Sequence, residues 1–227
     1  SSQESLACLY EDFKVAPEKT LFLQDVVPES FFKVVSSLQK KELIPANRKV
    51  ILYTGSLLPG KGVQHILEDM QALSAQRDDL FFLLVGYPID AAKDYVVSHH
   101  LEQCCLLPGR VDYAELAGWL ALGDIALDPK EADSGEASGK LLHYMAAGLP
   151  VVCFDTINNR KMLGEAGYFA PSCDAQGLIM GINAALDDME LARSRGEEGR
   201  NRVRQRYSSA AVGRILDKIY SRFMATS

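Results

Sequence analysis

The chain of 227 residues is 48% hydrophobic and 24% charged, which is the composition of a globular protein with a sizeable core. Its net charge of −6 argues against general nucleic-acid binding, because that binding requires clustered Lys and Arg. We find no apolar run long enough to span a membrane and no signal peptide at the start, so we expect a cytoplasmic protein without a transmembrane segment.

The cysteines of the chain do not indicate a metal site. They show no CxxC spacing, and no histidine cluster lies beside them. We therefore expect reduced, mostly buried thiols, and we predict neither a bound metal nor a cofactor.

The opening part of the chain differs from the rest. A helix is predicted at Ser2–Phe13, a short strand at Thr20–Leu23 and a second helix at Pro28–Leu38. The stretch 39–48 that follows is charged and contains a proline, which is typical of a connection between domains. We therefore predict a domain boundary within residues 38–48.

From Lys49 onward, short apolar strands alternate with helices. The predicted strands are Val50–Thr54, Leu80–Val85, Cys104–Leu107, Ile125–Leu127, Val151–Phe154 and Tyr168–Ala170. The predicted helices are Val63–Leu73, Ala91–His99, Tyr113–Ala121, a helix starting at Ser138, Asn158–Gly164, Ala175–Leu186, Met189–Tyr207 and Ala210–Phe223. This alternation predicts an α/β fold, a doubly wound parallel sheet of Rossmann-like type with helices on both faces and a helical C-terminal segment. Ligands of such sheets bind at the carboxyl ends of the strands.

The segment Ser138–Phe154 predicts an anion site at the start of a helix. Ser138 is a favourable N-cap residue, and Gly148 and Pro150 would end the helix before a buried strand. The free N–H groups of the first turn, together with Lys140, would attract a phosphate. An ordinary capped helix without a ligand fits the same residues.

The loop Gly55–Gly62 follows the first strand and nearly matches a P-loop. It has the G-x-x-x-x-G-K spacing, but Gly62 stands where the Mg²⁺-binding Ser or Thr would be, which disfavours an ATPase. Lys61 would supply a point charge for a phosphate. A Gly-Pro turn with an exposed lysine is the alternative interpretation.

These two loops are predicted to meet at one edge of the sheet. Lys61 and Lys140 would then approach a single diphosphate from two sides. A third strand end carries Gly109, Arg110 and Val111, whose backbone groups would be available to a nucleobase. The loops together predict a nucleotide site.

The motifs of the chain, taken in order, resemble a known family. They are Tyr53–Ser56, Lys61–Gly62, Leu107–Val111, Gly123–Pro129, Lys140–Val152 and Gly164–Gly167. This set resembles the carboxy-terminal, donor-binding domain of family 4 (group 1) retaining glycosyltransferases, which have two Rossmann domains in the GT-B architecture. The resemblance implies that residues 1–48 are a remnant of the amino-terminal acceptor domain and its linker. Residues 49–227 would be the donor-binding domain with its C-terminal helices.

The resemblance also implies roles for individual residues. In the family, the lysine that matches Lys61 holds the donor diphosphate together with an arginine, whose position is Ser56 here. The family carries two glutamates, one near the donor sugar and one on the ribose, and these positions are Gly135 and His143. We expect Glu136, one residue out of register, to approach the sugar and His143 to bind the ribose.

The resulting site prediction has three groups. The catalytic candidates are Lys61, Glu136 and His143, with Glu131 and Asp133 as competitors of Glu136. The diphosphate-binding candidates are Gly55, Ser56, Lys61, Ser138, Gly139 and Lys140. The nucleobase and ribose candidates are Gly109, Arg110, Val111 and His143. His143 fits equally a half-buried helix histidine satisfied by a neighbour, and Tyr113 and Trp119 are expected to pack rather than to stack on a base.

The predicted function is transfer of a sugar, with retention and without a metal, from a nucleotide diphosphate sugar (a UDP-, GDP- or ADP-sugar) to an unknown acceptor. The chain alone would be inactive, because the missing amino-terminal acceptor domain is needed as a partner and would carry any peripheral membrane association. Three alternatives stay open. They are a nucleotide-sugar epimerase or phosphorylase of the same architecture, a non-catalytic nucleotide-sugar-binding or assembly module and, as the weakest, a P-loop hydrolase.

Overall fold

A computed structural model of the chain describes residues 3–20, 23, 25–33, 38–130 and 138–225. It confirms the predicted α/β class, since a single six-stranded sheet contains only parallel pairs. The strands are β1 (Lys49–Ser56), β2 (Leu80–Tyr87), β3 (Cys105–Gly109), β4 (Ile125–Asp128), β5 (Val151–Phe154) and β6 (Gly167–Ala170).

The strands are apolar on both faces because helices cover the sheet on both sides. In β1, Ile51 and Tyr53 belong to one buried cluster, whereas Val50 and Leu52 belong to the other. Successive side chains of a strand point to opposite faces, so this alternation distributes one strand between two cores. The near-continuous apolar runs seen in the sequence are the consequence.

The helices of the described residues begin and end close to their predicted positions, except that the one at Lys40–Leu43 was not predicted. They are α1 (Gln3–Glu11), α2 (Lys40–Leu43), α3 (Val63–Ser74), α4 (Asp90–Ser98), α5 (Leu116–Leu120), α6 (Gly139–Ala146), α7 (Ile157–Leu163), α8 (Ala175–Asp187), α9 (Met189–Arg206) and α10 (Ser209–Ala225). Buried residues of α3, α4 and α8 contribute to one cluster, and those of α5, α6 and α7 contribute to the other. No helix in the part of the chain that the structure describes has the length and apolar character needed to cross a membrane.

The strand order in the sheet is β3-β2-β1-β4-β5-β6. The chain builds outward from β1 through β2 to β3, then returns and builds in the other direction from β4. A crevice therefore opens between the carboxyl ends of β1 and β4, where the loops diverge, and ligands of doubly wound sheets bind at this point.

The amino-terminal segment differs from its prediction. Within the predicted helix Pro28–Leu38, Glu29–Phe31 forms a single 3-10 turn, and residues 34–37 lie outside the described part. Neither Thr20 nor Leu23 lies in a strand, and residues 21 and 22 are not described. Turn formation follows from local hydrogen bonds between residues three apart, such as the one from the Phe31 N–H to the Pro28 carbonyl at 3.1 Å.

This segment packs against the sheet domain. Val27 forms a parallel bridge with Ser208, and Phe31 and Phe32 are buried in the same cluster as α6. Arg200 of α9 donates a hydrogen bond from Nη2 to the Phe32 carbonyl at 2.6 Å. The segment is therefore fixed against α9 and the residues that follow it.

The charged stretch 39–48 is also docked onto the domain. It forms the short helix α2, and Lys40 Nζ lies 2.7 Å from Asp124 Oδ2. Ile44 is buried in the core. The division into residues 1–48 and 49–227 stays a prediction.

Candidate functional site

The loop after β1 rests on the chain that leaves β4. Gly62 has a φ of 79°, and a Cβ atom at this position would lie 2.1 Å from the Pro129 carbonyl oxygen. Only glycine tolerates both the backbone angle and the contact. Lys61, the residue before it, ends a 3-10 turn at Pro59–Lys61 and is exposed. The close approach fixes Lys61 at the mouth of the crevice between β1 and β4.

A cavity of about 240 Å³ lies between this loop and the start of α6. Its lining includes three lysines, namely Lys61, Lys130 and Lys140, and also Ser138 and Gly139 at the start of the helix. Unpaired N–H groups and the positive end of the helix dipole occur at such a position. The lysines and the helix start would both favour an anion in this cavity.

Lys140 is paired with a buried carboxylate beneath the cavity. Its Nζ lies 3.1 Å from Asp128 Oδ1 and 4.2 Å from the centre of the Tyr53 ring. Burial alone would lower the pKa of Lys140, but the Asp128 carboxylate, with smaller contributions from Tyr144 and Tyr53, raises it above its ordinary value. Lys140 is therefore positively charged, and Asp128 compensates that charge.

The position of α6 is fixed by its own tyrosine. The Tyr144 hydroxyl, fully buried, accepts a hydrogen bond from the Thr54 N–H of β1 at 2.7 Å. Burial raises the pKa of Tyr144, so the hydroxyl stays protonated. This bond holds the first turn of α6 beside the carboxyl end of β1.

Ser138 occupies the predicted N-cap position of α6. The side chain accepts no hydrogen bond from the helix, and Oγ is buried without a partner among the described residues. The backbone carbonyl of Ser138 instead accepts from the Leu141 N–H at 3.1 Å. A buried hydroxyl without a partner is costly, and it lies in the lining of the cavity.

A second cavity, of about 700 Å³, continues from the first toward β3. Ser56, Gly139 and Lys140 line both cavities, so the two meet at the start of α6. Among the predicted site residues, Gly55, Arg110, Val111 and His143 also line the larger cavity. The structure thus brings the predicted diphosphate and nucleoside residues into one continuous cleft.

His143 lies in an aromatic cluster at the wall of the larger cavity. Its Nε2 is 3.0 Å from the Tyr113 hydroxyl, and its ring stacks on Phe31 with the centroids 4.4 Å apart and the planes 23° apart. Burial lowers the pKa of His143. The structure is compatible with both interpretations of His143. Its hydrogen bond with Tyr113 fits a helix histidine satisfied by a neighbour, and its place in the cavity lining fits a ribose-binding residue.

Tyr113 lies in this cleft, although the sequence pattern favours packing within a helix. The predicted helix Tyr113–Ala121 begins only at Leu116. The reason is local, since the N–H groups of Glu115 and Leu116 bond to carbonyls three residues earlier and form a turn. Tyr113 is 56% exposed in this turn and lines the larger cavity.

Some predicted site residues are not part of the described cleft. Gly109 ends β3 with a φ of 80° and lines neither cavity. Glu136 lies outside the described residues, as do Gly135, Glu131 and Asp133. The structure therefore does not test the prediction for Glu136, which stays a prediction.

Asp128, Lys130 and Tyr113 lie at the cleft and were not among the predicted site residues. The signal for the first two was present, since they flank the carboxyl end of β4, where the sheet order predicts ligand binding. Tyr113 gave no signal, because its contact with His143 joins residues 30 positions apart. Within the described ranges, no group of three or more His, Cys, Asp or Glu is placed to hold a metal ion.

Comparison with known proteins gives a consistent result. A family model described as "Glycosyl transferases group 1" matches residues 48–188. The N-acetyl-alpha-D-glucosaminyl L-malate synthase of Bacillus anthracis is 26% identical over 195 residues, which are 84% of this chain and 50% of that protein. The phosphatidyl-myo-inositol mannosyltransferase of Mycolicibacterium smegmatis is 28% identical over 183 residues, which are 78% of this chain and 46% of that protein. The chain spans about half the length of the curated relatives it matches.

Solved structures share the fold. Sucrose-phosphate synthase from Thermosynechococcus elongatus matches 100% of this chain and 58% of its own, with a TM-score of 0.81 and 22% identity. HepE of Anabaena, solved in complex with UDP-glucose, matches 97% of this chain and 62% of its own, with a TM-score of 0.79 and 17% identity. At these identities the likeness concerns the fold alone.

Proposed function

The chain belongs to the group 1 glycosyltransferases, since the family model covers more than half of it, and on this premise we propose that it binds the donor of a sugar transfer. The donor is a nucleoside diphosphate sugar, and the transfer to an acceptor proceeds with retention. The acceptor site and the complete activity require the other half that the relatives possess. The predicted cytoplasmic location stays a prediction.

The observation that carries the proposal is the charge of the smaller cavity. Lys61, Lys130 and Lys140 line it, and Asp128 compensates one of the three charges. The lysines that line this cavity suit the diphosphate of a donor. The family's arginine is absent at Ser56, and Lys130 at the end of β4 supplies a second cation beside Lys61.

The same groups suit the chemistry of the transfer. As the bond between sugar and diphosphate breaks, negative charge grows on the leaving diphosphate. Fixed lysines and the N–H groups at the start of α6 stabilise that charge without a metal. The ion pair with Lys140 compensates the charge of Asp128 beneath the site, so that the buried carboxylate does not repel the ligand.

The larger cavity is the proposed place of the nucleoside. It continues from the start of α6 past Arg110 and Val111 to His143, so a nucleotide with its diphosphate in the smaller cavity would extend into it. Of the structural relatives, HepE was solved with UDP and with UDP-glucose. We include UDP among the candidate nucleotides on this ground.

The test is calorimetric titration of the chain with UDP, GDP and ADP, each compared with its nucleoside. We expect the diphosphates to bind and the nucleosides to bind much more weakly. Lys61→Ala and Lys130→Ala should each weaken diphosphate binding about tenfold, because each removes one charged contact, and leave nucleoside binding unchanged. The exposed Lys93 of α4 provides the matched control Lys93→Ala, which should bind like the wild type. The proposal fails if no diphosphate binds at millimolar concentration, or if Lys61→Ala and Lys93→Ala behave alike.

A non-catalytic nucleotide-sugar-binding module is the second candidate. It is favoured by Ser56 and His143, which stand where the family carries an arginine and a glutamate. This candidate predicts the same binding. It differs in predicting no release of nucleoside diphosphate from the donor when the protein is supplied together with its acceptor half and acceptor.

A further inference from the structure

The Tyr113–His143 pair changes what the cleft offers to a sugar hydroxyl. His143 projects from α6 into the wall of the larger cavity. Its Nε2 is already engaged by the Tyr113 hydroxyl at 3.0 Å. A ribose that approaches this wall therefore does not find Nε2 available for a second partner.

The stacking on Phe31 further restricts His143. Phe31 is only 1% exposed and covers one face of the imidazole, with the ring centroids 4.4 Å apart. Burial also lowers the pKa of His143, so its ring is neutral at neutral pH. The imidazole is thus held in one orientation and carries no charge toward the cavity.

Tyr113 has the opposite properties. It is 56% exposed and lines the same cavity. A phenol hydroxyl that makes one hydrogen bond to an imidazole nitrogen keeps the capacity for another, whichever of the two groups donates the proton. The hydroxyl is therefore the exposed polar group of the pair that keeps hydrogen-bonding capacity toward the cavity.

We propose that the Tyr113 hydroxyl is the group that contacts the ribose hydroxyls of the bound nucleotide, and that His143 is a positioning residue that holds it. This inference rests on the proposed function. In this chain a neutral hydroxyl does the work that a negatively charged carboxylate is expected to do elsewhere in the family. Phe31, from the amino-terminal segment, stacks on His143 and helps to hold its ring in place.

The test compares nucleotides with and without ribose hydroxyls. The affinities of UDP, GDP and ADP are measured by calorimetry, and the tightest of them is compared with its 2′,3′-dideoxy analogue. We expect the wild type to prefer the ribose form about fivefold, which is the effect of one neutral hydrogen bond. Tyr113→Phe removes only the hydroxyl and should abolish this preference while the dideoxy form binds as before. The matched control is Tyr220→Phe on α10, where the exposed tyrosine lies outside both cavities, and it should keep the preference.

Two variants of His143 examine its positioning role. His143→Leu should reduce the preference, because the Tyr113 hydroxyl loses its partner, whereas His143→Gln should retain part of it. Thermal melting of each variant establishes that the protein is folded, and the ratio of the two affinities does not respond to a uniform loss of binding. An unchanged preference in Tyr113→Phe, or its absence in the wild type, would overturn the inference and leave the proposed function standing. Failure of every nucleoside diphosphate to bind would overturn both.

Discussion

Two carboxylates are equally buried in this protein and are treated in opposite ways. Asp128, at the end of β4, and Asp69, in the middle of α3, are both 0% exposed. Asp128 has Lys140 at 3.1 Å, in a cleft with further lysines. The oxygens of both carboxylates lack a hydrogen-bond partner among the described residues, but Asp69 also lacks an ion pair there. Burial, with smaller effects of Glu68 and Asp174, raises the pKa of Asp69 to about 8.

The difference separates the proposed ligand site from a region that only supports the fold. In the cleft, the buried Asp128 carboxylate is paired with the positively charged Lys140 beside the proposed ligand site. Between α3 and α8, which pack against each other, the carboxyl instead becomes neutral. A buried ionisable group is therefore informative about function when its surroundings keep it charged.

Asp69 should make the stability of the protein depend strongly on pH, and this is the largest of the expected effects. Because the pKa of folded Asp69 is raised to about 8, its neutral form is favoured in the folded state. Stability is full below the ordinary Asp pKa and is lost as the pH rises to about 8, by on the order of 5 kcal/mol in total. Asp69→Asn should remove this part of the pH dependence and raise the stability at pH 8, as measured by urea unfolding at several pH values. A wild type and a variant with parallel pH profiles would contradict the assignment.

The second prediction concerns Asp128, which would lack an ion-pair partner, as Asp69 does, if Lys140 were replaced. Lys140→Met removes the partner of a buried carboxylate and should cost about 3 kcal/mol in the free energy of unfolding at neutral pH. Lys93→Met on the surface of α4 is the control, with an expected change below about 0.5 kcal/mol. Equal urea midpoints for the two variants would mean that the pair does not stabilise the fold.

The smallest expected change in stability concerns Ser138, whose hydroxyl we expect to act in nucleotide binding rather than in helix capping. Its Oγ has no partner among the described residues, so Ser138→Ala should leave the free energy of unfolding unchanged or raise it slightly, by less than about 0.5 kcal/mol. Thr156→Ala is the matched comparison, because Thr156 accepts from the Asn159 N–H at 3.1 Å and its loss should cost about 1 kcal/mol. Ser138→Ala should weaken UDP, GDP or ADP binding instead. A destabilisation as large as that of Thr156→Ala, without an effect on binding, would assign Ser138 to the helix alone.

The sheet and the approximate place of the cleft could be predicted from the sequence because their causes are local. The apolar run Val50–Thr54 and the turn residues after it predict a strand and its end without knowledge of any distant contact. Once the strands alternate with helices, the strand ends that carry Lys61 and Lys140 follow from the handedness of the connections. The family model, which matches residues 48–188, agrees with that range of regular alternation.

The details that decide the chemistry depend on contacts that sequence patterns do not show. Lys140 was expected to face a phosphate, yet the pairing with Asp128 depends on how β4 packs beneath α6. Ser138 takes the predicted N-cap position, but its hydroxyl makes no capping bond, which the residue type alone does not show. The stack of Phe31 on His143 joins residues more than a hundred positions apart. Only the folded chain brings these groups together.

The bridge between Val27 and Ser208 has a consequence for recombination. A chimera that joins a foreign acceptor domain at the predicted boundary would import residues 1–48 from another protein. It would replace Phe31, which supports His143, and Phe32, whose carbonyl binds Arg200. A chimera should therefore keep residues 27–33 together with the sheet domain. Such an exchange preserves the wall of the cleft.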